Sequence, residues 1–162
     1  MVVPNKILIN KLAECLVEKN LTLAVAESCT GGMLAQQCTS IEGSSRWLEC
    51  GFVTYSNASK IRLLSVEANV LNEYGAVSPQ IAEQMAIGAL EHSNADISAS
   101  ITGIAGPGGG SEVKPVGTVY IATAVKNQAA HAILHTFQGD RHAIREQSTL
   151  TAIEHLIERV HG

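Results

Sequence analysis

The sequence predicts an α/β fold, a three-layer α/β/α sandwich with a mixed central sheet. Three observations predict it. Helical apolar stripes alternate along the chain with short apolar runs of strand length. Two late strands flank Lys126-Asn127-Gln128, a hairpin signal. The composition is 46% hydrophobic but only 4% aromatic, which suits a core of Ala, Val, Ile and Leu. At 162 residues the chain is about one domain's worth, and no linker, repeat or low-complexity tract divides residues 1–162.

The elements follow in order. Asn5 to Asn20 places Ile7, Leu8, Leu12, Cys15 and Leu16 on one helical face. Leu21 to Ala26 reads as a buried strand, and Thr30 to Thr39 as a helix. Ile41 to Arg46 is a loop, Trp47 to Tyr55 a second strand. Asn57 to Leu64 begins a short helix, followed by mixed turn and helix from Ser65 to Tyr74. Ser78-Pro79 opens a helix expected to run to Ser93, with serine as N-cap and proline at the first helical position. Asp96 to Thr102 is a third strand, running into the glycine-rich GIAGPGGGSE. Val116 to Val125 and Ala129 to Phe137 pair as the hairpin. The last helix starts near Asp140 and carries the stripe Ile153, Leu156, Ile157 and Val160.

Composition excludes several function classes. No apolar run reaches the roughly 18 residues of a membrane span. The opening MVVPNKILIN lacks the parts of a signal peptide, so the cytoplasm is the expected compartment. Cys15, Cys29, Cys38 and Cys50 form no C-x-x-C pair, and no Cys/His cluster has zinc spacing; free thiols and no metal are expected. A net charge of −4 without a basic run argues against a nucleic-acid partner. A small anionic ligand stays open, because a few arginines suffice.

Ligands in such folds bind beyond the strand ends, where loops meet. Three strands end in unusual turns: Glu27-Ser28-Cys29-Thr30-Gly31-Gly32, Tyr55-Ser56-Asn57-Ala58-Ser59-Lys60 and Thr102-Gly103-Ile104-Ala105-Gly106-Pro107. If these ends converge, Ser28, Tyr55, Lys60 and Thr102 share one pocket. Ser28 at a strand–turn–helix junction is either a nucleophile beside unpaired helix-start amides or an ordinary N-cap. Lys60 falls in the first turn of its helix, where the dipole opposes a cation and favours the neutral amine. A lysine so placed can be a general base. The glycine-rich loop matches neither Walker A nor G-x-G-x-x-G; it is a ligand-approaching backbone or a plain flexible loop. Arg141 and Arg145, four apart at a helix start, either grip an anion between them or are solvated. His131 and His135 share a strand face without a third ligand and are expected at the surface or a sheet edge. No G-x-S-x-G elbow surrounds Ser28. Cys29 is a rival nucleophile, expected instead to pack behind the turn.

The ordered set AESCTGG, GSS, YSNASK, GAVS, TGIAGPGGG, KPVGTVY and GDR-x3-R resembles the CinA C-terminal domain family, several members of which are nicotinamide-nucleotide amidases. The resemblance runs from about Asn5 to Val160 and suggests the stand-alone form. It implies an α/β/α fold, no cofactor or metal, and hydrolysis of nicotinamide mononucleotide to nicotinate mononucleotide and ammonia through an acyl-enzyme. The catalytic residues it implies are Ser28, Lys60 and Tyr55. The substrate-binding positions it implies are Thr102 and the arginine motif of Arg141 and Arg145, with one arginine touching the phosphate; the turn amides around Thr30, Gly31, Gly32 and Gly103 are expected to hold the oxyanion, and Asn57 to line the substrate site. Cys50 departs from the family, which commonly has glycine there, and altered packing of its strand is expected. Two other readings are a silent nucleotide-binding module and an amidase for another small amide. A homo-oligomer is expected, with the hairpin or exposed helices as interface.

Overall fold

The computed structural model describes residues 2–162, with side chains from Asn5 onward. Five strands form one sheet: β1 (Leu23–Glu27), β2 (Leu48–Val53), β3 (Ile97–Gly103), β4 (Thr118–Val125) and β5 (His131–Thr136). Their order is β2-β1-β3-β4-β5. β1 runs parallel to β2 and β3, whereas β4 is antiparallel to β3 and β5. The sheet is therefore mixed, and the hairpin through Lys126–Gln128 supplies its antiparallel part.

Helices α1 (Val2–Glu18), α2 (Met33–Thr39) and α6 (Arg141–His161) cover one face. Helices α3 (Asn57–Leu64), α4 (Ala68–Tyr74) and α5 (Pro79–Glu91) cover the other. Strand alternation divides the core between them. Leu23 and Val25 of β1 pack with Leu12, Leu16, Ile153 and Leu156 on the first face. Ala24 and Ala26 pack with Ile81 and Met85 on the second. Small residues let α5 sit close to the sheet. Ser98 and Ser100 of β3, both buried, donate their hydroxyls to the carbonyls of Ala86 and Ala82, at 2.7 and 2.5 Å. A Cβ on Gly88 would come within 2.1 Å of the Leu64 carbonyl oxygen, so only glycine allows α3 and α5 to touch there.

Local signals account for three helix starts. Ser78 caps α5 by accepting from the Ile81 amide, with Pro79 at the first position. Asp140 caps α6 by accepting from the Ala143 amide at 2.8 Å. Ser56 caps α3 by accepting from the Ser59 amide at 3.1 Å. The expected start of α2 is corrected: it begins at Met33 rather than Thr30. Gly31 and Gly32 have φ of 59° and 104°, left-handed values that postpone the helix. Cys50 also acquires a structural context. The pairing of β1 and β2 steps from Leu23↔Leu48 to Ala24↔Cys50, so Glu49 is an extra residue in β2.

Among the described residues no helix is long and apolar enough to cross a membrane. The parallel strands β1, β2 and β3 all end at one edge of the sheet, with the start of β4 beside them. That edge gathers the three polar turns.

Candidate active site

The backbone fixes the nucleophile turn first. The Ser28 amide donates to the Ile101 carbonyl at 2.9 Å, and the Thr54 amide donates to the Glu27 carbonyl at 2.8 Å. The first extends the β1–β3 pairing one residue beyond β1, and the second extends the β1–β2 pairing one residue beyond β2. Ser28 and the Thr54-Tyr55 segment are thus brought side by side.

Lys60 closes the arrangement. Its Nζ lies 3.0 Å from Ser28 Oγ, 2.8 Å from the Thr54 carbonyl and 3.2 Å from the Tyr55 carbonyl. Its side chain is 1% exposed, and among the described residues it forms no ion pair. Burial lowers its pKa from 10.5 to about 8. A neutral amine has two N–H bonds and one lone pair. Two N–H bonds satisfy the two carbonyls, and the lone pair then faces the Ser28 hydroxyl. An ammonium would present a third donor to Ser28 instead.

The rival thiol is disarmed. Cys29 is 6% exposed, and burial pushes its pKa up to about 11, so it stays protonated and weakly nucleophilic at neutral pH.

A cavity of about 260 Å³ opens over this pair. Ser28, Lys60 and Thr102 line it, the stretch from Gly103 to Gly106 forms one wall, and Tyr55 and Arg141 stand beside them. Arg141 donates from Nη1 to the Gly106 carbonyl at 2.7 Å and from Nη2 to the Tyr55 hydroxyl at 3.3 Å. No carboxylate is among the cavity residues, so Arg141 makes it attractive to an anion. A larger cavity, about 610 Å³, lies at the opposite end of the strands beside His155 and Val160. It lacks the serine–lysine pair that the smaller cavity holds.

The structure separates the sequence-derived residues into two groups. Ser28, Tyr55, Lys60, Thr102, Gly103 and Arg141 come together around the cavity. Thr102 spends its hydroxyl on the Ala76 carbonyl at 2.9 Å. Tyr55 meets Lys60 through its backbone carbonyl, while its phenol is with Arg141. Thr30, Gly31, Gly32, Asn57 and Arg145 lie outside the cavity lining. Thr30 is fully buried and donates its hydroxyl to Glu27 at 2.6 Å. Asn57 is exposed at the start of α3. Arg145 turns away from Arg141 and donates from Nε to the Cys29 carbonyl at 3.1 Å and from Nη2 to the Thr30 carbonyl at 2.9 Å. The two arginines therefore do not share one anion.

Helix capping is also reassigned. Ser28 is four residues before the N-cap of α2, which is Gly32 and has no capping side chain. The buried Glu27 carboxylate does that work from the end of β1. It accepts from the Leu34 amide at 2.9 Å and the Ala35 amide at 3.0 Å. Sequence reasoning missed Glu27. Its one available signal was an acidic residue ending an apolar strand just before a helix.

Among the described residues no group of three or more His, Cys, Asp or Glu side chains has metal-binding geometry. His135 does find a partner, His155 of α6, with Nε2 atoms 2.8 Å apart; β5 is the edge strand expected for it.

A family model described as the CinA C-terminal domain matches residues 5–160. The nicotinamide-nucleotide amidohydrolase PncC of Escherichia coli is 47% identical over 146 residues, 90% of this chain and 88% of that protein. A competence-damage inducible protein of Caldicellulosiruptor bescii is 48% identical over 145 residues, 90% of this chain but 35% of that protein. The chain thus spans about a third of the length of that longer relative. The crystal structure of the competence/damage inducible protein CihA from Agrobacterium tumefaciens superposes with a TM-score of 0.94 at 41% identity, covering 98% of this chain and 96% of that one. By sequence and by fold, the chain belongs to the CinA C-terminal domain family.

Proposed function

We propose that this chain is a nicotinamide-nucleotide amidohydrolase whose residues 1–162 act as one catalytic domain. The observation that carries the reading is the buried Lys60 Nζ at 3.0 Å from Ser28 Oγ, with the Thr54 and Tyr55 carbonyls at 2.8 and 3.2 Å. A serine with a neutral amine base is equipped for acyl transfer. Arg141 at the same cavity supplies the anion site that a nucleotide phosphate requires. The name of the PncC relative gives the matching substrate.

The steps follow from the geometry. The Ser28 hydroxyl passes its proton to Lys60 Nζ as Oγ bonds to the carboxamide carbon. The Ser28 and Gly31 amides already donate to Ile101 and Ser28 carbonyls. The amides of Cys29, Ala105 and Gly106 donate to no carbonyl among the described residues, and these residues line the cavity. They are the donors for the oxyanion. Collapse breaks the C–N bond, and the Lys60 proton leaves with the amine as ammonia. Water then gives Lys60 a proton, adds to the acyl carbon and releases the carboxylate. The proton returns to Ser28 Oγ.

The free cysteines suit a reducing cytoplasm. The outer edge of β5, with Ile133 and Leu134 about half exposed, is the place for a second copy in a homo-oligomer.

The deciding assay is ammonia release from nicotinamide mononucleotide, from its riboside and from a panel of other small amides. Release from the nucleotide is expected, with the riboside a poor substrate. Binding without release would mean a silent module, and release from another amide alone would move the substrate class. Arg141→Ala should weaken nucleotide binding by about 1.5–3 kcal/mol, the usual loss for a charged hydrogen bond. The same variant should barely change turnover of the riboside. Equal losses on both substrates would take Arg141 off the phosphate.

A further inference from the structure

The nucleophile of this site sits in the turn between β1 and α2, outside both elements. Ser28 is followed by Cys29, Thr30 and two glycines in left-handed conformations before α2 begins. Glycines of this kind give a turn its shape and also its freedom. Two charged side chains of opposite sign hold it from different elements. Glu27, fully buried, takes the Thr30 hydroxyl and the Leu34 and Ala35 amides, which ties the far end of the turn to β1. Arg145 of α6 takes the Cys29 and Thr30 carbonyls with two adjacent N–H groups. It lies so close that a Cβ on Gly31 would be 3.3 Å from its Nη2.

We propose that Glu27 and Arg145 are positioning residues that grip the turn from two sides and so hold Ser28 Oγ on Lys60 Nζ. The inference rests on the Ser28–Lys60 reading of the site, and it removes Arg145 from substrate recognition. Neither side chain lines the cavity, so each acts through the turn. The guanidinium fork is essential to this role. A lysine ammonium is a single point donor and cannot hold two successive carbonyls in fixed geometry. Glutamine in place of Glu27 would turn an NH2 group towards an amide that itself donates.

Arg145→Lys and Glu27→Gln are compared with the parent in two assays at a temperature well below each Tm. The first is the rate at which a fluorophosphonate probe labels Ser28, which reports nucleophile alignment whatever the natural substrate is. The second is steady-state ammonia release from the nucleotide and the riboside. Misplacing a reacting group by about 1 Å costs roughly 100-fold. Each variant should therefore label about 100-fold more slowly and lose kcat by a similar factor on both substrates, with KM within about twofold. Arg141→Ala, by contrast, should raise KM on the nucleotide alone. Parent-like labelling in folded variants with a lowered Tm would make both residues merely structural and overturn the inference. A KM effect confined to the nucleotide would return Arg145 to the phosphate and overturn it equally. If the parent labels rapidly but releases no ammonia from the nucleotide, the substrate reading fails while the labelling comparison still decides this one. If the parent does not label at all, both fall. Should Glu27→Gln fail to fold, Arg145→Lys carries the test, because that side chain is only half-buried.

Discussion

Ser28→Ala should abolish ammonia release, by a factor on the order of 10,000 or more, while nucleotide binding stays within about twofold. The size follows from the role. Without Oγ no acyl-enzyme forms, and the remaining route is direct attack by water on the amide. Binding should survive because Arg141 and the 103–106 wall are untouched. Binding of the nucleotide is read by calorimetry on the variant, and turnover by an ammonia assay. Cys29→Ala is the matched control. With a thiol pKa near 11 that side chain contributes almost no thiolate at pH 7, so the control should keep most of the parent's rate. An active Ser28→Ala together with a dead Cys29→Ala would exchange the two assignments.

The fold was readable because its signals are local. The Ser78-Pro79 helix start, the hairpin at Lys126–Gln128 and the final stripe of Ile153, Leu156, Ile157 and Val160 each depend on residues within a few positions of one another, and each stands in the structure. Convergence of the three strand ends was only a condition in the sequence, because the parallel pairing that brings them to one edge joins distant segments. What the sequence hid is contact between distant segments and contact through the main chain. The carbonyls of Thr54 and Tyr55 that hold Lys60 have no side-chain signature. Arg141 and Arg145 looked equivalent at a spacing of four, yet only one faces the cavity. The other is drawn to carbonyls 115 and 116 residues away in the chain. Glu27 capping α2 from a preceding strand, and His155 meeting His135 across two elements, are invisible to periodicity for the same reason.

Lys60→Arg should be nearly as inactive as Lys60→Ala, with kcat/KM down by about 100- to 10,000-fold, the usual span for loss of a general base. Arginine keeps the positive charge, but with a pKa above about 12 it never offers a lone pair to the Ser28 hydroxyl. The parent's kcat/KM should rise with pH to a plateau, with a midpoint near the Lys60 pKa of about 8, because only the neutral amine accepts the proton. The same shift has a stability signature. The unfolded chain holds this proton up to about pH 10.5, whereas the folded chain releases it near 8. Between those values the unfolded state binds more protons, so stability rises with pH across the window and falls again as pH drops towards 8. In Lys60→Met that component of the slope should vanish, which denaturant titrations of parent and variant at pH 8 and 10 will show. The opposing idea makes Lys60 a fixed positive clamp on the phosphate. It predicts an active arginine variant, a raised KM in the alanine variant, and activity that declines as the amine loses its proton. An arginine variant within about tenfold of the parent, a barrier difference of only about 1.4 kcal/mol, would end the general-base assignment. The position of Nζ between two carbonyls and Ser28 Oγ, with Arg141 already at the rim, favours the base.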